Sequence, residues 1–260
     1  MAKMEGCLEK EVPLMFPIKN SEGQDIKKLT VREVVGYDEE HVNQPQIRNA
    51  PVEYLVNLVW RCSYPTVEGV SFSEEDAAKL AVPDRDNLVN QIGILSVGDD
   101  YTVEWSCRFC GANNTEKRKR SELKVINKLK EGAVAAPFKF KKPYVKNIVK
   151  EDKKETLTYT EGMITIVNNS ELSRELYKKF GSVDTNNGEV RSYIYARSCR
   201  YPGKPNLQIT DYQRMTKSQR DDIQAAYDDY AVSFGYGKES SCFKCGKRQE
   251  VLGAPSFFFA

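Results

Sequence analysis

Four cysteines fall in two knuckles of one design, Cys107-Arg108-Phe109-Cys110-Gly111 and Cys242-Phe243-Lys244-Cys245-Gly246. The C-x2-C spacing lets two thiolates of one tight turn reach a single ion, and the following glycine permits the positive φ such a turn often needs. Two turns supply four sulfurs, the complement of a closed tetrahedral zinc site. Residues 111–241 separate the knuckles, too long a stretch for a compact autonomous finger. A shared ion would therefore join the middle of the chain to its C-terminal part. A disulfide inside each C-x2-C, a degenerate site, or a metal held between molecules would use the same residues. The expectation is a structural Zn2+ on Cys107, Cys110, Cys242 and Cys245. A site closed by four thiolates offers no position to a substrate and reads as architecture. Arg108, Lys244, Lys247 and Arg248 lie beside the sulfurs in sequence, either offsetting the centre's negative charge or simply solvated.

Little else in the chain suggests chemistry. The seven cysteines are an odd number, which argues against a complete disulfide framework, and a reducing compartment favours metal over disulfide. Cys7, Cys62 and Cys199 stand alone and read as free thiols that are buried or idle. His41 is the single histidine, beside Glu39 and Glu40, with no triad in view. There is no G-x-G-x-x-G, P-loop or HExxH signature. Enzyme classes that rely on those signatures are disfavoured.

The elements that would carry the knuckles follow from patterning. Val12, Leu14 and Phe16, then a turn at Asn20–Gly23, then Leu29, Val31 and Glu33 read as a hairpin. A short helix follows Gly36, with Asp38 as its N-cap. Residues 51–62 are apolar nearly all round, the mark of a core helix. Ser73 with Asp76 resembles a capping box. Asp84 is expected to cap a helix bearing Leu88, Ile92 and Leu95, which ends at Gly98 and feeds a strand over Tyr101–Ser106 into the first knuckle. Beyond it, Leu123, Ile126 and Leu129 predict an amphipathic helix over 121–131, and 138–144 reads as extended. Glu161-Gly162 is expected to turn a second hairpin, Ser170 to cap a helix closed by Gly181, and residues 184–188 to form a polar turn. Val190–Arg197 reads as a strand. Thr216 with Gln219 predicts a capping box for a helix with Ile223, Ala226, Tyr227 and Tyr230 inward. Helix, glycine turn and knuckle occur twice in that order, too faintly for a duplication.

The fold class expected is α+β: mixed helices and short antiparallel strands with a zinc-ribbon-like pair of distant knuckles. Residues 1–50 would pack their hairpin and short helix on a body of residues 51–260, the whole reading as one continuous domain, since no low-complexity linker appears. At 260 residues, 40% hydrophobic and 29% charged, the chain can bury a core without staples. No apolar run reaches the roughly 18–20 residues of a membrane span. Residues 1–16 carry no apolar signal core, so synthesis in the cytosol is expected.

The net charge of +2 makes the whole molecule no magnet for nucleic acid. Residues 116–154, however, hold fourteen Lys or Arg against five Asp or Glu, among them Lys117, Arg118, Lys119 and Arg120. Interleaved with Phe and Tyr, they have the ingredients of a phosphate and stacking surface. A charged outer face, or a dock for an acidic protein, suits the near-neutral total better, and nucleic acid is the alternative. The end of the chain, Phe257, Phe258 and Phe259, either folds back beside the second knuckle or serves as a peg for a partner.

Four stretches carry a resemblance: LTVREVVGYDEEHV (29–42), VPDRDNLVNQIGILSVGDDYTVEWSCRFCGANN (82–114), SELKV (121–125), and CFKCG followed by PSFFF. In this order they resemble the T-even-type bacteriophage baseplate protein family, whose members serve in assembly of the tail baseplate hub. Residues 140–215 hold no landmark of that family. The resemblance implies a non-enzymatic, phage-encoded chaperone or component whose partners are baseplate hub or tail-spike proteins. It would act in the host cytoplasm during assembly or within the virion tail. The rival reading is a zinc-ribbon regulator binding nucleic acid through residues 116–154, and a metal-dependent enzyme is a third.

Overall fold

The computed structural model describes residues 6–126, 135–150, 153–165, 170–181, 187–201, 207–230, 233–235 and 237–252. It has mixed helices and antiparallel strands, consistent with the α+β expectation. The chain divides differently from the single body expected. Residues Met1–Ile126 with Ser233–Ala260 form one compact unit, and Asn127–Val232 form a second, inserted in the first.

The first unit opens with β1 (Glu9–Lys19) and β2 (Asp25–Arg32), an antiparallel pair whose register shifts between Pro13 and Ile18. Helices α1 (Gly36–Val42), α2 (Pro45–Arg48) and α3 (Pro51–Cys62) follow. Strand β3 (Ser63–Pro65) adds to β2, and α4 (Glu74–Lys79) precedes α5 (Val82–Val97). As its apolar circumference predicts, α3 buries Val56, Leu58 and Val59 completely, against Leu29, Val31 and Ile92. The capping box at Ser73 and Asp76 is present, with each residue bonded to the other's backbone N–H.

Two aspartates read as N-caps do other work. Asp38 lies one turn inside α1, whose N-cap is Val35. Its buried carboxylate receives two bonds from Arg32, at 2.6 and 3.1 Å, and one from Arg61 Nε at 3.0 Å. Burial opposes ionisation there, but the Arg32 guanidinium and the Val35 N–H hold the carboxyl below its usual range. Asp84 likewise sits in the first turn of α5, after the N-cap Ala81. Its two oxygens accept the backbone N–H groups of Met15 and Phe16 at 2.8 and 2.9 Å. These amides fall in the register shift of β1, where a helix carboxylate accepts both.

Gly98, at φ 92°, ends α5 and turns the chain into β4 (Asp100–Ser106), which pairs with β5 (Asn113–Lys119) across the first knuckle. The helix expected over 121–131 does not form within the described part. One 3-10 turn (Arg120–Glu122) is followed by β6 (Lys124–Ile126). Asp99 holds Ser121 by its N–H and hydroxyl, both at 2.7 Å, which fixes the chain against the base of the β4–β5 hairpin. Residues 127–131 lie outside the described residues.

The second unit starts with β7 (Ala135–Lys150) and β8 (Lys153–Thr165), one long hairpin. Glu161-Gly162 is therefore not a turn. Gly162 sits inside β8 opposite Phe138, where an added Cβ would lie 2.6 Å from the Phe138 ring. The glycine makes room for an aromatic neighbour. Helix α6 (Ser170–Phe180) closes at Gly181 (φ 68°), as read, with Ser170 in its first turn. The polar turn at 184–188 lies mostly outside the described residues. Residues 190–197 form α7 (Gly188–Ser198) rather than a strand. The Asn187 side chain caps it through the Glu189 N–H, and Val190, Tyr193 and Ala196, three apart, are buried on one face. After β9 (Cys199–Arg200), paired to β8, come α8 (Ile209–Arg214) and α9 (Lys217–Tyr230). The capping box of α9 is present at Thr216 and Gln219.

A second repair occurs here. The β7–β8 register shifts between Lys139 and Tyr144, and α9 covers the fault. Asp222 accepts the Lys141 N–H at 2.9 Å, and Gln219 donates to the Pro143 carbonyl at 2.8 Å. The chain then re-enters the first unit through β10 (Ser233–Gly235), which pairs with β6, Ser233 opposite Ile126. Strands β11 (Gly237–Ser241) and β12 (Arg248–Leu252) form the hairpin of the second knuckle. Among the described residues, no helix is long and apolar enough to cross a membrane.

Burial pushes the Asp84 carboxyl up to about 6, against the two N–H groups that favour its charge. A folded-state value above the unfolded one stabilises the fold below pH 4, and this contribution is lost as pH rises through 6. Asp84→Asn should flatten the stability-versus-pH curve between pH 4 and 6, read by denaturant melts at each pH. Asp84→Ala should cost about 2–4 kcal/mol, because two buried amides lose their acceptor.

Candidate metal centre

The knuckles are the tips of two hairpins, β4–β5 and β11–β12, and both are built alike. In the first, the Cys107 N–H donates to Ala112 O at 2.8 Å and the Gly111 N–H to Cys107 O at 2.8 Å. In the second, Cys242 donates to Lys247 O at 3.0 Å and Gly246 to Cys242 O at 2.9 Å. Gly111 and Gly246 take φ of 70° and 68°, a region L side chains rarely adopt, so the trailing glycine is required by the backbone. The same turn chemistry aims each pair of sulfurs outward.

These tips meet. Cys107 Sγ lies 3.7 Å from Cys245 Sγ, and Cys110 Sγ lies 3.7 Å from Cys242 Sγ. All four sulfurs fall within 4.8 Å of one another. A metal–sulfur bond of about 2.3 Å at tetrahedral angles puts sulfurs about 3.8 Å apart, close to both separations. Disulfides need about 2.05 Å, and all seven cysteines are free. The four residues named from sequence are thus positioned to hold one metal ion, with a geometry compatible with zinc.

The protons also fit a cation's site. Burial opposes ionisation of Cys242, yet N–H groups of Cys245 and Lys244 draw its thiol down to about 6. Cys107, against the same burial, is lowered by the Phe109 and Cys110 N–H groups. The Ala112 N–H favours the Cys110 thiolate, but burial and the neighbouring sulfurs push that thiol up to about 11. Four negative charges cannot share so small a space unaided, and a divalent cation removes the conflict.

Reciprocal bonds lock the knuckles together. Asn114, four residues past Cys110, accepts the Phe243 N–H of the other tip at 3.0 Å. Gln249, four residues past Cys245, accepts the Arg108 N–H at 2.9 Å. The equal offsets in sequence were the available signal for this pair, which sequence reasoning missed. Arg118 is a third tie: its buried guanidinium reaches Val251 O at 3.1 Å and Ser240 Oγ at 2.9 Å on the opposite hairpin. Glu116 accepts from both Ser240 and Arg118.

The basic run is therefore split by the alternation of β5 and the 3-10 turn that follows it. Lys117 and Lys119 are exposed, whereas Arg118 and Arg120 are buried, the latter with its guanidinium 5.4 Å over the Tyr101 ring. Farther along the tract, Lys146 pairs with Asp211 at 2.8 Å. Arg108 and Lys247 each lie 4.8 Å over the exposed Phe109 ring, and Arg248 faces Glu239 at 3.8 Å.

Other sequence candidates are structural. Cys62 and Cys199 are buried, and burial pushes both thiols up, Cys199 to about 12. His41 Nε2 is 2.9 Å from Asn57 Oδ1, with the Trp60 ring beside it. Phe257, Phe258 and Phe259 lie outside the described residues. No protein-family model, curated protein or solved structure matches the chain.

Two variants separate the metal from the polar ties. Cys245→Ser, or a strong chelator on the unmutated protein, should lower stability by several kcal/mol and abolish metal uptake, read by thermal melts with elemental analysis. Arg118→Ala should cost about 2–4 kcal/mol through orphaned buried partners while one metal per chain is retained.

Proposed function

We propose that this chain is a non-enzymatic assembly protein of the T-even-type phage tail baseplate hub, its knuckles clamped by a structural zinc ion. The observation that carries the non-catalytic part is the completeness of the centre. Four sulfurs within 4.8 Å of one another would fill every position around zinc, leaving none for water or substrate. When bound, zinc would supply cross-linking and charge neutralisation. The chain's own residues hold the hairpins in place through Asn114, Gln249 and Arg118.

The baseplate assignment rests on the sequence resemblance, and the places where its stretches fall add support. Residues 29–42 are built around the Arg32–Asp38–Arg61 cluster, and residues 82–114 run from the Asp84 repair through α5 and β4 into the knuckle. These are residues a shared fold needs. The proposed partners are hub or tail-spike proteins, met in the host cytoplasm during tail assembly, with Phe257–Phe259 as the proposed peg. The rival regulator reading loses ground because Arg118 and Arg120 are turned inward, leaving Lys117 and Lys119 of that run for phosphate.

Affinity purification of the tagged chain from infected cells tests this. A hub or spike protein should co-purify, and changing Phe257, Phe258 and Phe259 to alanine should release it. Recovery of the chain alone, or the appearance of a turnover activity, would reject the assignment.

A further inference from the structure

The outer surface of the two knuckles has no part in the ties just described. Residues 107–112 and 242–248 carry Arg108, Lys244, Lys247 and Arg248 and not one carboxylate. With zinc bound, a reading this inference shares with the proposed function, four thiolates and one divalent cation leave two negative charges. Arg248 is answered by Glu239 at 3.8 Å, and Arg108, Lys244 and Lys247 exceed the two by one. Two aromatic rings stand among them: Phe109, 47% exposed, lies under Arg108 and Lys247, and Phe243, at 77%, is the most exposed large hydrophobic side chain described. The backbone beneath each ring is bonded in place. Asn114 holds the Phe243 amide, and the Phe109 amide points to Cys107 Sγ at 3.4 Å.

We propose that this knuckle face binds single-stranded nucleic acid, with a base stacking on Phe243 and phosphates meeting Arg108, Lys244 and Lys247. Aromatic and cationic residues alternate here, Arg108-Phe109 and Phe243-Lys244, as stacking base and phosphate alternate along a strand. A protein dock would instead need a contiguous apolar centre within an interface of roughly 1,200 Å² or more, and two isolated rings ringed by charge do not provide one. Duplex DNA hides its base faces and would engage only the cations. The site is distinct from the 116–154 tract, where Arg118 and Arg120 serve the fold.

The test uses the zinc-loaded full chain and fluorescein-labelled oligothymidylate of about twelve nucleotides, a length within single-strand site sizes. Saturable binding that weakens with salt is expected. Phe243→Ala should weaken it about tenfold, with Phe243→Trp restoring it. Lys244→Gln and Lys247→Gln should each reduce the slope of log affinity against log salt by about 0.7. Lys117→Gln with Lys119→Gln should leave affinity unchanged. Zinc content measured on every variant separates loss of the face from loss of the clamp: a variant that keeps its zinc and loses affinity supports the site. Absence of binding at about 0.1 M salt, where the Debye length is near 10 Å, overturns the proposal. So does unchanged affinity in zinc-replete Phe243→Ala, or competition by polyglutamate as effective as by oligothymidylate. The polyglutamate result would reassign the face to acidic proteins.

Discussion

Everything in the first unit has to bring four sulfurs to within 4.8 Å of one another, from positions 132 residues apart in the chain for the Cys110–Cys242 pair. Closing a loop of that length costs on the order of 4 kcal/mol of chain entropy, a cost that grows only slowly with length. Structural zinc in finger peptides supplies roughly 10–16 kcal/mol. A bound ion can therefore carry the closure alone. The molecule does not leave it alone. The β6–β10 ladder brings Ile126 opposite Ser233, so the second unit begins and ends at neighbouring points. Measured through that ladder, the loop that the metal must close is short.

The polar ties around the centre belong to the same constraint. A tetrahedron of thiolates fixes distances between sulfurs, but two hairpins joined there could still pivot through the cysteine side-chain torsions. Asn114 and Gln249 remove that freedom near the tips, and Arg118 removes it near the middle of the strands. Because Arg118 is buried, its charge must be answered by Glu116, Ser240 and the Val251 carbonyl. Elsewhere the same economy appears as repair. Asp84 serves the β1 irregularity and Asp222 the β7 irregularity, each from a neighbouring helix. Both are buried acids that accept backbone amides within a register shift of the strand.

Local signals predicted what local physics decides. The knuckles, the capping boxes at Ser73 and Thr216, the core helix at 51–62 and the stop at Gly98 are each specified by residues a few positions apart. Misreadings arose where a distant partner set the outcome. Gly162 has the character of a turn residue, but the Phe138 ring across the ladder uses its missing Cβ. Residues 190–197 are rich in strand formers, yet the Asn187 cap and the three-residue spacing of buried positions favour a helix. Asp38 and Asp84 read as caps but stand inside the first helical turn, and their carboxylates are claimed by side chains or amides from elsewhere in the fold. For the site, the ligands were legible because knuckle spacing is local. The locking residues were not, because they become meaningful only when one tip is laid against the other.

The split of the first unit by the second has a consequence during synthesis. Cys107 and Cys110 leave the ribosome well before Cys242 and Cys245, and at about 5–20 residues per second the delay is roughly 7–26 s. Through that interval the inserted unit can fold while half a coordination sphere waits. Translation thus imposes an order in which the interior segment matures first and the outer unit is sealed last.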